Sequence, residues 1–399
     1  MIFKKVLLIP DVYVTGESGA LVANTLAQYL IEMGCQVAVL SHDVFDEIKE
    51  DMTYYRKELF TTNANYFSKK HKDNFYNVLV DFNPDVIFSV GGVINRPVFY
   101  FDVIKQKNIK HIYLIFCQDF YCARIHAALS NGPCTLCLTG SQFNSVINKC
   151  GVKTSRNQLL FLINGGITRT RLKTRLQRLD FVLGSSNEQL GFYREWGIED
   201  NKLVKMPLFF PERRLLGAKI ERGNYFIIAA QNRIEKGIHL LQRILPYVYP
   251  HVKIKIIFSR ENEGRKALFD YGLDCFVESG MLEPVYNISW GNGLEQLVAK
   301  SRGVLITSIW PTTTEFALLE ALGMQKPVIC FNVGIHGEIF VNERNGFAFP
   351  INSFEQFGQA INRLSLDDEL YNEISQAALC LYNELTDKTK FHKILQSII

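Results

Sequence analysis

The chain has 399 residues, too many for one ordinary hydrophobic core and suited to two domains of about 150 to 200 residues each. Its 47% hydrophobic and 21% charged residues match a soluble globular protein, and a formal net charge of +4 excludes a strongly basic nucleic-acid binder. No apolar run approaches the ~18 residues needed to span a bilayer, the start MIFKKVLLIPDVYV lacks a small-residue cleavage site, and nine cysteines at irregular spacing make a poor disulfide framework, so a cytoplasmic protein is expected.

In chain order, KVLLIP reads as a buried strand, followed by the loop VTGESGA and a helix carrying Leu21, Leu26, Ala27, Leu30 and Ile31 that ends at Gly34. QVAVLSHD is the next strand. Gly16 and Gly19 fall in the first turn, where a chain or ligand can approach closely, but the three glycines of a dinucleotide fingerprint are missing. VIFSV and HIYLIFCQD are further strands, and Asp119 stands at the C-terminal end of the second as an acid/base or hydroxyl-positioning candidate or a turn aspartate.

Between Cys117 and Cys150, the pair Cys134 and Cys137 has C-x-x-C spacing, flanked by Cys122 and Cys150. The outer spacings are long for a zinc site, and reduced buried thiols are the simpler reading. TRTRLKTRLQR places Arg169, Arg171, Lys173, Arg175 and Arg178 within three turns, either a solvated face or one suited to anionic lipid or an acidic acceptor. DFVLGSS, NEQLGFYREWG and KLVKMP close the first half as strand, helix and strand.

A linker with Pro211, Gly217 and Gly223 precedes a second α/β series: YFIIAA, the turn QNRIEKG, the helix IHLLQRILPYV and the strand KIKIIFS. Arg233 and Lys236 sit in a loop at a strand's C-terminal edge, where two cations suit a diphosphate as well as they suit solvent. The stretch Leu305 to Phe347 then reads strand, threonine-rich turn, helix, strand and glycine-bearing loop. Thr312, Thr313 and Thr314 precede a helix carrying Phe316, Leu318, Leu319 and Leu322. That helix start is a diphosphate seat by its free amides and dipole, or is closed by a capping box between Thr312 and Glu315.

The glycine-bearing first turn, the strand ending near Asp119, LDFVLGSSNEQLGFYREWGI, the Arg/Lys-Gly turn and WPTTTEFALLEALGMQKPVICFNVGIHGEI together resemble a GT-B glycosyltransferase of family 4, also called group 1. The resemblance implies two Rossmann-like domains facing each other across a cleft. Residues 1–208 would bind the acceptor, residues 209–370 the nucleotide sugar, and residues 371–399 would pack back on the first domain. In that family two glutamates separated by seven residues flank the helix start. Glu320 matches the second, a nucleotide-ribose ligand, while Thr312 replaces the first. Lys236 matches the diphosphate-binding lysine. The arginine five positions before it falls on Gln231, so Arg233 serves only in a shorter turn. Gln118 replaces a histidine beside Asp119, and GIHGEI leaves Gly334, His336 and Glu338 near the donor.

The resemblance further implies retaining sugar transfer from a nucleotide-diphosphate donor to an acceptor hydroxyl on a glycan or lipid-linked glycan, in bacterial surface polysaccharide or glycolipid synthesis. Catalytic candidates are Asp119, Lys236 and Thr312; donor candidates are Gly16, Gly19, Arg233, Lys236, Thr312, Thr313, Thr314, Glu315, Glu320 and His336. No cofactor or divalent metal is expected, and no nucleic-acid partner. Weak attachment at the inner membrane face is compatible with the basic stretch. The departures at Thr312 and Gln118 also fit a non-catalytic partner subunit, and a nucleotide-sugar epimerase is a third reading.

Overall fold

The computed structural model describes the chain apart from residues 1–3, 11–17, 42–50, 57–68, 92–98, 119, 123–125, 142, 151–171, 209–214, 216–218, 231 and 313–314. The backbone divides into two compact units: Met1–Ala127, Cys134–Pro211 and Asp387–Ile399 form one, and Ala128–Pro133 with Glu212–Thr386 form the other.

The N-terminal unit is built on β1 (Lys5–Pro10), β2 (Gln36–Ser41), β3 (Met52–Arg56), β4 (Val86–Val90) and β5 (Lys110–Leu114). A short hairpin, β6 (Ala128–Leu129) and β7 (Gly132–Pro133), belongs to the other unit, and β8 (Phe181–Gly184) and β9 (Leu203–Lys205) complete the first sheet. The seven strands lie in the order β3-β2-β1-β4-β5-β8-β9, and every pair is parallel. Helices cover both faces of such a sheet, which is why its central strands are apolar along their length. Val6, Leu7 and Leu8 have no exposed surface.

The C-terminal unit repeats the plan with β10 (Tyr225–Ala230), β11 (Lys253–Phe258), β12 (Leu282–Tyr286), β13 (Gly303–Ile306), β14 (Val328–Phe331) and β15 (Phe347–Phe349). They pair in parallel in the order β12-β11-β10-β13-β14-β15. The chain builds outward from β10 to β12, then crosses to the other side of β10 and continues outward. Between β10 and β13 the strand order reverses, and open α/β sheets take ligands at that point, beyond the strands' C-terminal ends. The segments leaving β10, β13 and β14 are therefore brought to one edge.

Buried side chains hold that edge in place. Phe357, Ile361 and Leu364 of the helix Phe354–Leu366 join Ile256, Leu305 and Ile329 in one apolar core. The buried Lys326 donates from Nζ to the carbonyls of Glu221 at 2.5 Å and Ser301 at 3.0 Å, tying the start of the unit to the turn before β13. Arg302 donates from Nη2 to Asp368 at 2.7 Å, at the start of the helix Asp368–Leu385.

That helix lies with the C-terminal unit, against the helix Phe316–Gly323. The return of the C-terminal segment to the N-terminal unit therefore begins at Asp387 rather than at residue 371. The helix Lys388–Ile398 is held there by Lys388 on Glu32 at 2.5 Å, by Phe391 against Tyr29 and by Lys110 Nζ on the Ile399 carbonyl at 3.1 Å.

Candidate functional site

Three segments converge at the C-terminal edge of the second sheet. The first leaves β10. Arg233 is extended, Ile234–Lys236 make a single tight turn, and Gly237 closes it at φ +70°. A Cβ on Gly237 would stand 1.8 Å from the Thr307 carbonyl oxygen, so only glycine lets this turn press against the chain leaving β13. Thr307 Oγ1 donates to the Lys236 carbonyl at 2.8 Å, and the Ile309 amide donates to the Glu235 carbonyl at 2.9 Å. The Lys236 backbone is fixed on both sides while its side chain stays 27% exposed.

The second segment leaves β13 through Thr307, Ser308 and Thr312, all buried, with the Thr312 amide donating to the Trp310 carbonyl at 2.8 Å. Glu315 is the N-cap of the helix Phe316–Gly323, and its carbonyl accepts the Leu318 amide at 3.0 Å. The expected capping box between Thr312 and Glu315 does not form: the helix begins later, and the Glu315 side chain accepts from no helix amide. Its carboxylate turns inward instead. Ser308 Oγ donates to Oε1 at 2.9 Å, Lys236 Nζ lies 3.8 Å from Oε1, and His336 Nε2 lies 3.1 Å from Oε2. A buried carboxylate favours cations and a hydroxyl over peptide dipoles because full charges better offset its desolvation.

The third segment leaves β14. Gly334 sits at φ +59°, and a Cβ there would approach the Pro311 Cα to 3.1 Å, so this loop lies close on the second segment. His336 follows, buried, with Nδ1 facing the Phe331 carbonyl at 3.2 Å. Cys330, also buried, donates its S–H to the Phe347 carbonyl at 3.3 Å.

Burial alone would raise the Glu315 carboxyl, but the close contact with His336 and the charge of Lys236 outweigh it and hold the group well below the ordinary carboxylate range. Burial likewise opposes a charged His336. The facing Glu315 carboxylate acts against that and raises the imidazole above the ordinary histidine range. Burial pushes the Cys330 thiol up, so at neutral pH it is uncharged and the anion facing His336 is Glu315. Lys236 also lies 5.8 Å from the centre of the Trp310 ring, within reach of a cation–π contact.

Of the residues expected at the site, the structure brings Lys236, Glu315 and His336 together. Thr312 is buried in the same segment, and Glu320 is buried in the helix, its carbonyl accepting the Met324 amide at 3.1 Å. Arg233 is 60% exposed with Nη1 3.9 Å from the buried Glu235. Asp119, Gly16, Thr313, Thr314 and Gln231 lie outside the described residues. Gly19 lies inside the first turn of the helix Ser18–Glu32, where a Cβ would make ordinary contact with Phe116 at 3.5 Å. Its place therefore does not require glycine.

In the basic stretch, Arg175 pairs with Asp102 at 3.1 Å and Arg178 pairs with the same carboxylate, while Arg169 and Arg171 lie outside the described residues. Cys122 and Cys137 pack with an apolar cluster around Phe120, Tyr121 and Tyr193. Among the described residues, no three His, Cys, Asp or Glu side chains are placed to hold a metal ion. The roles of Ser308 and Cys330 were missed from sequence. Both lie at or just beyond the ends of the adjacent strands β13 and β14, a placement that was available once the strand order was known.

Residues 217–379 match the family described as Glycosyl transferases group 1. Comparison with curated proteins gave no match. Among solved structures, the chain resembles a sucrose-phosphate synthase from Thermosynechococcus elongatus, with a TM-score of 0.67 and 13% identity over 99% of this chain and 98% of that one. Anabaena HepE, in complex with UDP and glucose, gives 0.66 and 13% over 99% and 98%. WaaG, a glycosyltransferase involved in lipopolysaccharide biosynthesis, gives 0.62 and 13% over 98% and 99%. Two parallel α/β sheets of this kind are the GT-B fold.

Proposed function

We propose that this chain, a GT-B glycosyltransferase whose residues 217–379 belong to group 1, transfers a sugar from a nucleotide-diphosphate donor to an acceptor hydroxyl with retention at the sugar carbon. The observation that carries this reading is the placement of Lys236 at the point of strand reversal, with its backbone clamped and its ammonium still reachable. In the reaction the bond from the sugar carbon to the diphosphate oxygen breaks, and a bond from that carbon to the acceptor oxygen forms on the same face. The acceptor proton passes to the departing diphosphate. Charge grows on that diphosphate as the bond breaks, so a fixed cation beside it lowers the barrier with little reorganisation. Lys236 is that cation, and the exposed Arg233 is a second that can swing in.

Glu320 is the ribose ligand in this reading, and Thr312 offers a donor-sugar hydroxyl a neutral partner. No cofactor or divalent metal is required, since side-chain cations meet the diphosphate. HepE was solved with UDP and glucose, which supports a uridine nucleotide among the donors to be tried first. The likeness to WaaG supports a surface glycan or glycolipid as the acceptor class. Among the described residues no helix is long and apolar enough to cross a membrane. Any work at a membrane surface would therefore rest on peripheral contact by the described parts of the chain.

Incubating the purified protein with a panel of nucleotide sugars is the direct assay. Slow release of nucleoside diphosphate from one donor is expected, and Lys236→Ala is expected to reduce it about a hundredfold. Thr312 in place of a glutamate favours one competing reading, a GT-B subunit that stabilises an active partner. Glycan synthesis in cells that survives both Lys236→Ala and Glu320→Ala, at unchanged protein level, would decide for the partner.

A further inference from the structure

Lys236, Glu315 and His336 form a cluster whose charges can be counted from geometry. The Glu315 carboxylate is divided between two sets of partners: Oε1 receives Ser308 and lies 3.8 Å from the Lys236 ammonium, and Oε2 lies 3.1 Å from His336 Nε2. The other histidine nitrogen, Nδ1, is 3.2 Å from the Phe331 carbonyl. Both ring nitrogens thus face an oxygen that can only accept, Nε2 meeting Oε2 off the line of a hydrogen bond, as a charge contact. A neutral imidazole sets a lone pair against one of these oxygens; an imidazolium sets positive charge and a hydrogen toward both. The other titratable neighbour of His336 is Cys330 on β14, which uses its hydrogen on the Phe347 carbonyl and stays a thiol.

We infer that His336 is a positioning residue which, as an imidazolium, takes up the charge of Glu315 and so leaves the Lys236 ammonium uncancelled for the ligand's diphosphate. The inference rests on the donor reading for the identity of that ligand, though not for the pairing itself. With His336 protonated, the three side chains carry one net positive charge, presented by the exposed member. Without that proton they carry none, and Glu315 has only Lys236 to pair with. The ammonium would then close on the carboxylate to about 2.8 Å, the distance of a direct charged contact, and be lost to an incoming anion. The observed distances, shorter to the histidine than to the lysine, are those of the first arrangement.

A charge cycle tests this, with UDP, GDP and ADP as probes in calorimetric titrations at pH 7. His336→Gln is expected to weaken the nucleotide that wild type binds by about tenfold, because Glu315 then cancels Lys236. Glu315→Gln is expected to hold affinity within about threefold, since His336 loses its proton together with its partner. The double variant, His336→Gln with Glu315→Gln, is expected to recover most of the loss. A merely structural histidine would not be rescued by a second substitution, so a double variant no better than His336→Gln overturns the inference.

Nitrogen-15 NMR of the histidine rings reads the pair without ligand, in wild type and Glu315→Gln. The inference requires His336 to carry hydrogen on both nitrogens in wild type and on one in the variant. A neutral ring in wild type overturns it even where nucleotide binds. A charged ring in a wild-type protein that binds none of the three nucleotides establishes the pair, but overturns the donor reading and the ligand-facing half of the inference. Should His336→Gln not accumulate as folded protein, the NMR comparison decides alone.

Discussion

Glu315 and His336 are both buried, so their pairing contributes to stability as well as to charge, with a dependence on pH whose sign follows from the two shifts. Glu315 is held below its ordinary value of 4.5, so its contribution is complete above that pH and fades as the pH falls toward its lowered value. His336 is held above its ordinary 6.5, so its contribution is complete below that pH and fades as the pH rises through its raised value. The two overlap fully between 4.5 and 6.5. Chemical denaturation of wild type and His336→Gln across the pH range is expected to show the largest difference there, about 2 kcal/mol, since the variant loses a buried charged contact while Lys236 closes on Glu315 and keeps that charge paired. A gap that grows steadily above pH 7 would contradict the assignment. The motif offered Lys236 and Glu320 as single candidates, and the structure sets Lys236 beside Glu315 and Glu320 in the helix that follows it. The pairing of Glu315 with His336 was not legible in the sequence, because the two are separated by a helix and a strand, and sequence spacing around Glu315 offered the nearby Thr312 as its partner instead.

The turn closed by Gly237 decides where Lys236 can stand. Gly237→Ala would drive a methyl group into the Thr307 carbonyl and force a left-handed backbone on alanine. It is expected to destabilise the C-terminal unit by about 3 kcal/mol in urea unfolding. Donor turnover is expected to fall even at temperatures where the variant is folded, because the turn must move away from β13. Unchanged turnover at full folding would show that the clamp on Lys236 does not matter. Most of the strands were readable as apolar runs, since parallel strands covered on both faces repeat that signature. Of the two readings of the helix start before Phe316, the capping box does not form, because spacing reports where a cap fits and says nothing of a buried cation that competes for the same carboxylate. The helix read from IHLLQRILPYV is instead a broken series, with a short helix Leu241–Ile244 between tight turns. Gly237 before it and Pro246 within it are the local causes.

Each unit is a parallel sheet with one reversal of strand order, and the chain places its charged cluster at the reversal in the second. The order of strands could not be read from the sequence, since near-continuous apolar runs carry no label for their neighbours. Only that order turns three separate loops into one edge. Division of the chain into two units was legible from its length and from the break around Pro211, whereas the hairpin Ala128–Pro133 joins the C-terminal unit through contacts no local signal announces, such as His239 Nε2 on the Ser130 carbonyl at 2.7 Å. The central claim is that a nucleoside diphosphate is held at that edge by Lys236. A crystal structure of the protein with the nucleotide it binds tests this most directly. The account predicts diphosphate oxygens within about 3 Å of Lys236 Nζ, with His336 still on Glu315. A nucleotide seated elsewhere, with Lys236 turned inward onto Glu315, would contradict it.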